Sequence, residues 1–237
     1  MEQWGVMGSI PQEVQFLIEK MDLKLDSCIA GKKFYRGFRK NKQVIVVETG
    51  IGKVNAAMTA QLLISNYQIS KVIFAGTAGG LLPSVKIGDV VVAQEVLQHD
   101  VSGAGKEYAS KVIEGRHIFS LNHEITQWAK GNLNLKKLNN NSYPSLHFGR
   151  VLTGDRVIVR KEKVEHLIQR YNGLCVEMEG GAVAQVCHAN EVPLLLIRII
   201  SDYANETSKK DFNLNVIEVC INLTKLILQV VDYYDEN

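Results

Sequence analysis

The residues best placed for chemistry in this 237-residue chain are carboxylates that stand beside glycines. Glu13 follows Gly8-Ser9-Ile10-Pro11-Gln12. Glu177 and Glu179 flank Met178 and run into Gly180-Gly181. Asp202 follows Ser201 at the end of an apolar run. Further clusters are Gly50-Ile51-Gly52-Lys53, Gly76-Thr77-Ala78-Gly79-Gly80 and Gly154-Asp155. Glycine lets backbone approach a ligand, and carboxylates bind hydroxyls or move protons.

Each feature also has a plainer explanation. Glu13 in the first turn of a helix is compatible with a solvated residue favoured by the helix dipole. Asp202 is compatible with a turn cap. The Gly76–Gly80 stretch is compatible with a simple turn. His99-Asp100 fits a structural hydrogen bond better than a metal or acid–base pair. Gly50-Ile51-Gly52-Lys53 looks like part of a phosphate-binding loop, but the upstream glycine is missing and Val54 follows the lysine, so triphosphate binding is rejected. Glu177 and Glu179 resist a plain explanation. They sit where Leu174-Cys175-Val176 meets a small-residue helix, and buried carboxylates are costly unless paired or functional.

The elements that must hold these groups are short apolar strands alternating with amphipathic helices. Strands are expected at 4–7, 71–75, 89–96, 148–153 and 193–200, with a hairpin from 34–38 and 44–48. Helices are expected at 11–21, 53–67, 118–130, 161–171, 178–189 and 216–233, the first opened by Pro11. Residues 132–145 read as a surface connection. Strands apolar on both faces, with helices between them, predict an α/β three-layer sandwich: a mixed, mostly parallel twisted sheet flanked by helices, in one domain spanning 1–237. In such folds ligands gather where the carboxyl ends of strands emerge. The glycine–carboxylate clusters fall at those exits.

Composition narrows the function classes. A net charge of +2 creates no field favouring nucleic acid or an acidic membrane. The basic group Lys32, Lys33, Arg36, Arg39, Lys40 and Lys42 reads as the solvated face of a hairpin. Cys28, Cys175, Cys187 and Cys220 are widely spaced among apolar or small residues, which predicts buried free thiols rather than disulfides or zinc ligands. No leader opens the chain and no apolar run reaches the ~18 residues of a membrane span. A cytoplasmic protein is expected, so the sequons at Asn140, Asn205 and Asn222 are chance matches.

Taken in order, seven blocks resemble one family. They are Gly5-Val6-Met7-Gly8 with Glu13-Val14, Thr49-Gly50-Ile51-Gly52-Lys53-Val54, Gly76-Thr77-Ala78-Gly79-Gly80, Lys86-Ile87-Gly88-Asp89-Val90-Val91, Thr153-Gly154-Asp155, Val176-Glu177-Met178-Glu179 and Arg198-Ile199-Ile200-Ser201-Asp202. From Gly5 to about Phe212 the chain resembles the 5′-methylthioadenosine/S-adenosylhomocysteine nucleosidases of the nucleoside phosphorylase superfamily.

The resemblance implies hydrolysis of the N-glycosidic bond of an adenine nucleoside, by a homodimer, with no metal or cofactor and no nucleic-acid or membrane partner. Asp202 would protonate the purine N7 and Glu13 would take a proton from the attacking water. Glu179 would grip the ribose hydroxyls, with Glu177 beside it and Met178 against the sugar. Ser201 and Arg198 would position Asp202 and the glutamates, and Thr77 would present its hydroxyl near the base. The backbone of Ile158 would read the adenine edge. Ile10, Ile51 and Phe212 would line the 5′-substituent pocket, with residues 99–108 of a neighbouring subunit. Two positions depart from the family: Val157 stands where an aromatic residue usually stacks on adenine, and Ala104 stands where one usually closes the 5′ pocket. Other 5′-modified adenosines, such as aminodeoxyfutalosine, therefore remain an alternative substrate. A phosphorylase is disfavoured because residues 1–35 contain no arginine and Ile73-Phe74-Ala75 precede Gly76. A non-catalytic nucleoside-binding protein is disfavoured because Glu13 and Asp202 are both present.

Overall fold

Residues 44–47 read Val-Ile-Val-Val, and all four side chains are fully buried. Successive side chains of a strand point to opposite faces, so this strand is covered on both sides. The same holds for much of the sheet. The computed structural model describes residues 2–101, 118–138 and 144–234. Its strands are β1 (Glu2–Gly8), β2 (Lys24–Ile29), β3 (Lys32–Arg39), β4 (Lys42–Glu48), β5 (Lys71–Gly80), β6 (Val90–Gln98), β7 (Ile118–Ser120), β8 (Leu146–Thr153), β9 (Cys175–Glu177) and β10 (Leu194–Asp202). The helices among the described residues are α1 (Pro11–Lys20), α2 (Lys53–Tyr67), α3 (Glu124–Asn132), α4 (Lys161–Tyr171), α5 (Gly180–Ala189) and α6 (Ser208–Tyr233).

The strands form one sheet that closes on itself at one end. Strands β2, β3, β4, β1 and β5 lie side by side, and β5 pairs with both β9 and β10. The path β5–β10–β6–β8–β9 then returns to β5 as a ring. Helices α2 and α5 cover the face carrying Ile45 and Val47. Helices α1, α3 and α6 cover the face carrying Val44 and Val46. Helix α4 closes a smaller cluster with Leu97, Leu152 and Val176. The expected layering of helices about a sheet is met. The sheet is mixed. Pairs β1–β4, β1–β5, β5–β10, β6–β8 and β8–β9 are parallel. Pairs β2–β3, β3–β4, β5–β9, β6–β7 and β6–β10 are antiparallel.

Other expectations are corrected. The stretch expected to be one helix over 118–130 begins as β7, and α3 starts only at Glu124. The Gly76–Gly80 stretch is not a turn but the end of β5. Helix α6 starts at Ser208, eight residues early, because its first turns are polar and carry no apolar period. Strand β2 was not expected, since its exposed Lys24, Leu25 and Asp26 give no core signal. Lys42 is buried rather than solvated: its Nζ donates to the Tyr234 carbonyl at 2.9 Å and lies 5.2 Å from the centre of the Trp4 ring. Cys28 is exposed, whereas the other three cysteines are buried free thiols.

Helix α6 is long and apolar enough to span a membrane, with a mean hydropathy of 1.6. However, 61% of that window is buried against the rest of the protein, as befits a core helix. The surface connection at 132–145 contains a short 3₁₀ turn at Leu135–Lys137. Residues 139–143 and Ala104 lie outside the described residues.

Candidate functional site

Two strand exits, those of β1 and β9, bring Glu13, Glu177 and Glu179 around one guanidinium. Arg198 projects from β10 and is 1% exposed. Its Nη2 donates to Glu177 Oε2 at 2.6 Å, and the group packs 4.3 Å from the centre of the Phe74 ring. Burial acts against its charge, but Glu177, Glu13 and Glu179 outweigh burial and hold its pKa above the ordinary value. Gly76 makes the arrangement possible: a Cβ there would come within 2.8 Å of Arg198 Nη1 and 2.9 Å of Glu13 Oε1.

The two glutamates of the Glu-Met-Glu block divide sharply. Both carboxylate oxygens of Glu177 are engaged within the protein. Oε1 accepts from Thr153 Oγ1, and Oε2 accepts from Arg198 and from the backbone N–H groups of Glu179 (3.1 Å) and Gly180 (2.7 Å). It borders the cavity, but its carboxylate organises Arg198 and the start of α5. Glu179 instead has one close backbone donor, Gly52 N at 2.8 Å from Oε1. Its remaining capacity faces the cavity.

Glu13 is clamped from two sides. Ser9 N (2.6 Å) and Ile10 N (3.3 Å) donate to Oε2. Thr77 donates to Oε1 from its backbone N at 2.8 Å and from Oγ1 at 3.1 Å. Across the cavity, Asp202 terminates β10. Its Oδ1 accepts from Ala204 N at 2.9 Å, and its Oδ2 receives the Ser201 hydroxyl at 2.9 Å.

The cavity, about 190 Å³, collects almost every residue expected from sequence. Ile10, Glu13, Ile51, Thr77, Val157, Ile158, Glu177, Met178, Glu179, Ser201, Asp202 and Phe212 all line it. Arg198 stands behind the lining, beneath the glutamates. Val157 and Ile51 sit at the mouth, 70% and 57% exposed. Sequence reasoning missed Ser9, Ala78, Gly79, Arg156, Val176 and Ala204 as wall residues. Ser9, Ala78 and Gly79 lay inside the glycine clusters already singled out. Ala204 carried no signal. Among the described residues, no cluster of His, Cys, Asp and Glu has the arrangement of a metal site.

Burial raises the Glu13 carboxyl above its usual range, against Arg198 and the Thr77 and Ser9 hydrogen bonds. Burial first and Glu177 second push Glu179 up to about 7, opposed by Gly52, Arg198 and Ser9. One consequence is thermodynamic. Between its ordinary 4.5 and about 7, Glu179 keeps a proton in the folded protein that the unfolded chain has released. The stability contributed by that proton is complete below the lower value and is lost as pH rises through the upper one. Relative to Glu179→Gln, the wild-type melting temperature is expected to fall across this window and level off above it. Melts of both proteins across the window check this; a difference independent of pH would mean that Glu179 titrates alike in both states.

The sequence and the fold both have relatives. The Phosphorylase superfamily model matches residues 3–232. A 5′-methylthioadenosine/S-adenosylhomocysteine nucleosidase of Bacillus cereus (strain G9842) is 33% identical over 230 residues, covering 96% of this chain and 97% of the relative. A crystal structure of the nucleosidase of that name from Neisseria meningitidis, in complex with methylthio-immucillin-A, superposes with a TM-score of 0.89 at 30% identity, covering 98% and 99% of the two chains. The native futalosine hydrolase of Helicobacter pylori superposes with a TM-score of 0.89 at 28% identity, covering 98% and 97%.

Proposed function

The chain belongs to the phosphorylase superfamily, among its 5′-methylthioadenosine/S-adenosylhomocysteine nucleosidases, and from that premise we propose that Glu13, Glu179 and Asp202 divide the hydrolysis among them. The enzyme is a purine-nucleoside N-glycosyl hydrolase that releases adenine. The observation that carries the assignment of roles is the convergence of these three carboxylates on one cavity from three separate strand exits.

Cleavage of the C1′–N9 bond leaves positive charge on the sugar and negative charge on the base. Asp202 gives a proton to N7, so adenine departs neutral. Glu13 takes a proton from water as its oxygen bonds to C1′. Glu179 accepts hydrogen bonds from the ribose hydroxyls, and when ionised it offsets the charge of the sugar. Arg198, neutralised by Glu177, keeps Glu13 and Glu179 close without facing the substrate. Met178 lies against the sugar and Ile158 at the base edge, while Ile10, Ile51 and Phe212 surround the 5′ substituent.

Water rather than phosphate is the nucleophile. Phosphate would have to sit beside Glu13 and Glu179, and among the described residues the one cation lining the cavity is Arg156, on the Val157 side. The enzyme is expected to free adenine from methylthioadenosine and S-adenosylhomocysteine at the same rate with and without phosphate. A panel of adenine nucleosides assayed for adenine and pentose products tests this; ribose 1-phosphate as a product would overturn it. A second substrate reading rests on the exposed Val157 and Ile51 at the mouth and on the likeness to futalosine hydrolase: a bulkier 5′-modified adenosine such as aminodeoxyfutalosine. The same panel decides between them.

The proposed setting is a cytoplasmic homodimer working in methionine salvage. Free cysteines support a reducing compartment. Ile51, Val54 and Met58, exposed along one face at the start of α2 beside the cavity, support a second copy there.

A further inference from the structure

Beyond Ile51 at the 5′ pocket and the Gly52 amide, three of the sequence clusters have no role assigned above: Gly50-Ile51-Gly52-Lys53, His99-Asp100 and Gly154-Asp155. The fold brings them together beside Glu179. Lys53 Nζ donates to Asp100 Oδ1 at 2.7 Å and lies 3.8 Å from Asp155 Oδ2. Asp155 Oδ1 accepts from Lys53 N at 2.9 Å. Asp100 Oδ2 accepts from Asp155 N at 2.9 Å. These bonds close a ring that ties the exits of β4, β6 and β8 to one another.

The ring stands beside a turn built on glycine. Gly50 and Gly52 have φ of +77° and +95°, a region open to glycine, and neither has a side chain to pack. Gly52 caps α2 without a side-chain hydrogen bond, so Asp155 supplies the capping carboxylate from another strand. The Gly52 N–H next to that cap is the backbone donor to Glu179 Oε1. The Lys53 side chain is only 18% exposed, so its ion pairs are partly shielded from solvent screening.

We propose that Lys53, Asp100 and Asp155 are positioning residues that latch the Gly52 amide onto Glu179 and thereby fix the carboxylate that grips the ribose hydroxyls. This rests on the ribose-gripping role of Glu179. Without the latch the glycine turn samples other conformations, Glu179 loses its backbone donor, and binding energy drawn from the hydroxyls falls. Energy drawn from the adenine and the 5′ group does not.

The test uses competitive inhibition by a C-nucleoside analogue of adenosine, whose base–sugar bond is not hydrolysed, with and without its 2′- and 3′-hydroxyls. Lys53→Met keeps the backbone N–H and removes the ammonium. It is expected to raise the Ki of the hydroxylated analogue about tenfold, the scale of one charge-assisted hydrogen bond, and that of the dideoxy analogue by less than about threefold. Lys53→Arg should recover most of the discrimination. Should Lys53→Met fold poorly by circular dichroism, Asp100→Asn, which preserves shape, carries the same expectation. Equal losses on both analogues, or none on either, overturn the latch. Glu179→Gln, run alongside, separates the two ideas. If it too fails to discriminate, the ribose-gripping role falls and the latch with it. If it discriminates while the latch variants do not, only the latch falls.

Discussion

Asp202→Asn is expected to lower the turnover of methylthioadenosine by more than roughly a hundredfold, the lower end of general-acid effects, with little change in nucleoside binding. The geometry makes the substitution unusually clean. Asp202 Oδ1 accepts from Ala204 N, and an asparagine oxygen can keep that bond. The other oxygen meets the Ser201 hydroxyl, which is also 3.4 Å from the Ala78 carbonyl. Ser201 can therefore donate to Ala78 and accept from the new amide. Shape and hydrogen bonding survive; only the transferable proton is gone. The loss should depend on the leaving group. An analogue whose base departs without protonation at N7 should lose far less rate than methylthioadenosine, in parallel kcat measurements on folded protein. An equal loss for both substrates would assign Asp202 to positioning and place the acid elsewhere.

What was legible in the sequence follows from how local each signal was. Glu13, Glu177, Glu179 and Asp202 were legible because each stands within a few residues of a strand end, and the polarity change there is visible in one dimension. The separate roles of Glu177 and Glu179 were not. They sit two residues apart on one short segment, and only the approach of Arg198 from β10 and Gly52 from the β4 exit distinguishes them. The closure of the sheet was equally hidden, since it depends on β5 pairing with β10 and β9, both more than ninety residues away. The Gly76–Gly80 stretch misled because glycines mark turns in sequence. Here they mark a strand that its neighbours approach closely: a Cβ on Gly76 would meet Arg198 Nη1 at 2.8 Å and Glu13 Oε1 at 2.9 Å. Lys42 misled for a related reason. Its ammonium lies over the ring of Trp4 on the paired strand β1 and donates to the Tyr234 carbonyl, partners that are far away along the chain.

Glu13→Gln is expected to reduce turnover by about 10²–10⁴-fold, the range of general-base contributions. The reasoning differs from that for Asp202, because glutamine is not a silent replacement here. Both oxygens of Glu13 face donors: Ser9 N and Ile10 N on one side, Thr77 N and Oγ1 on the other. An amide has one oxygen. Whichever way it turns, its NH₂ points at a backbone N–H, an unsatisfied contact that costs stability. Against that, the substitution removes a carboxylate that burial already disfavours, and Arg198 keeps its pair with Glu177. The two effects oppose each other, so the stability change should be small beside the loss of catalysis. Single-turnover rates, Ki for an unreactive adenosine analogue and melting temperature, measured on the same preparation, separate the contributions. A base role requires the rate to collapse while Ki and melting temperature move little. Retention of most of the rate would reduce Glu13 to a buried group that only holds Ser9 and Thr77 in the wall of the cavity.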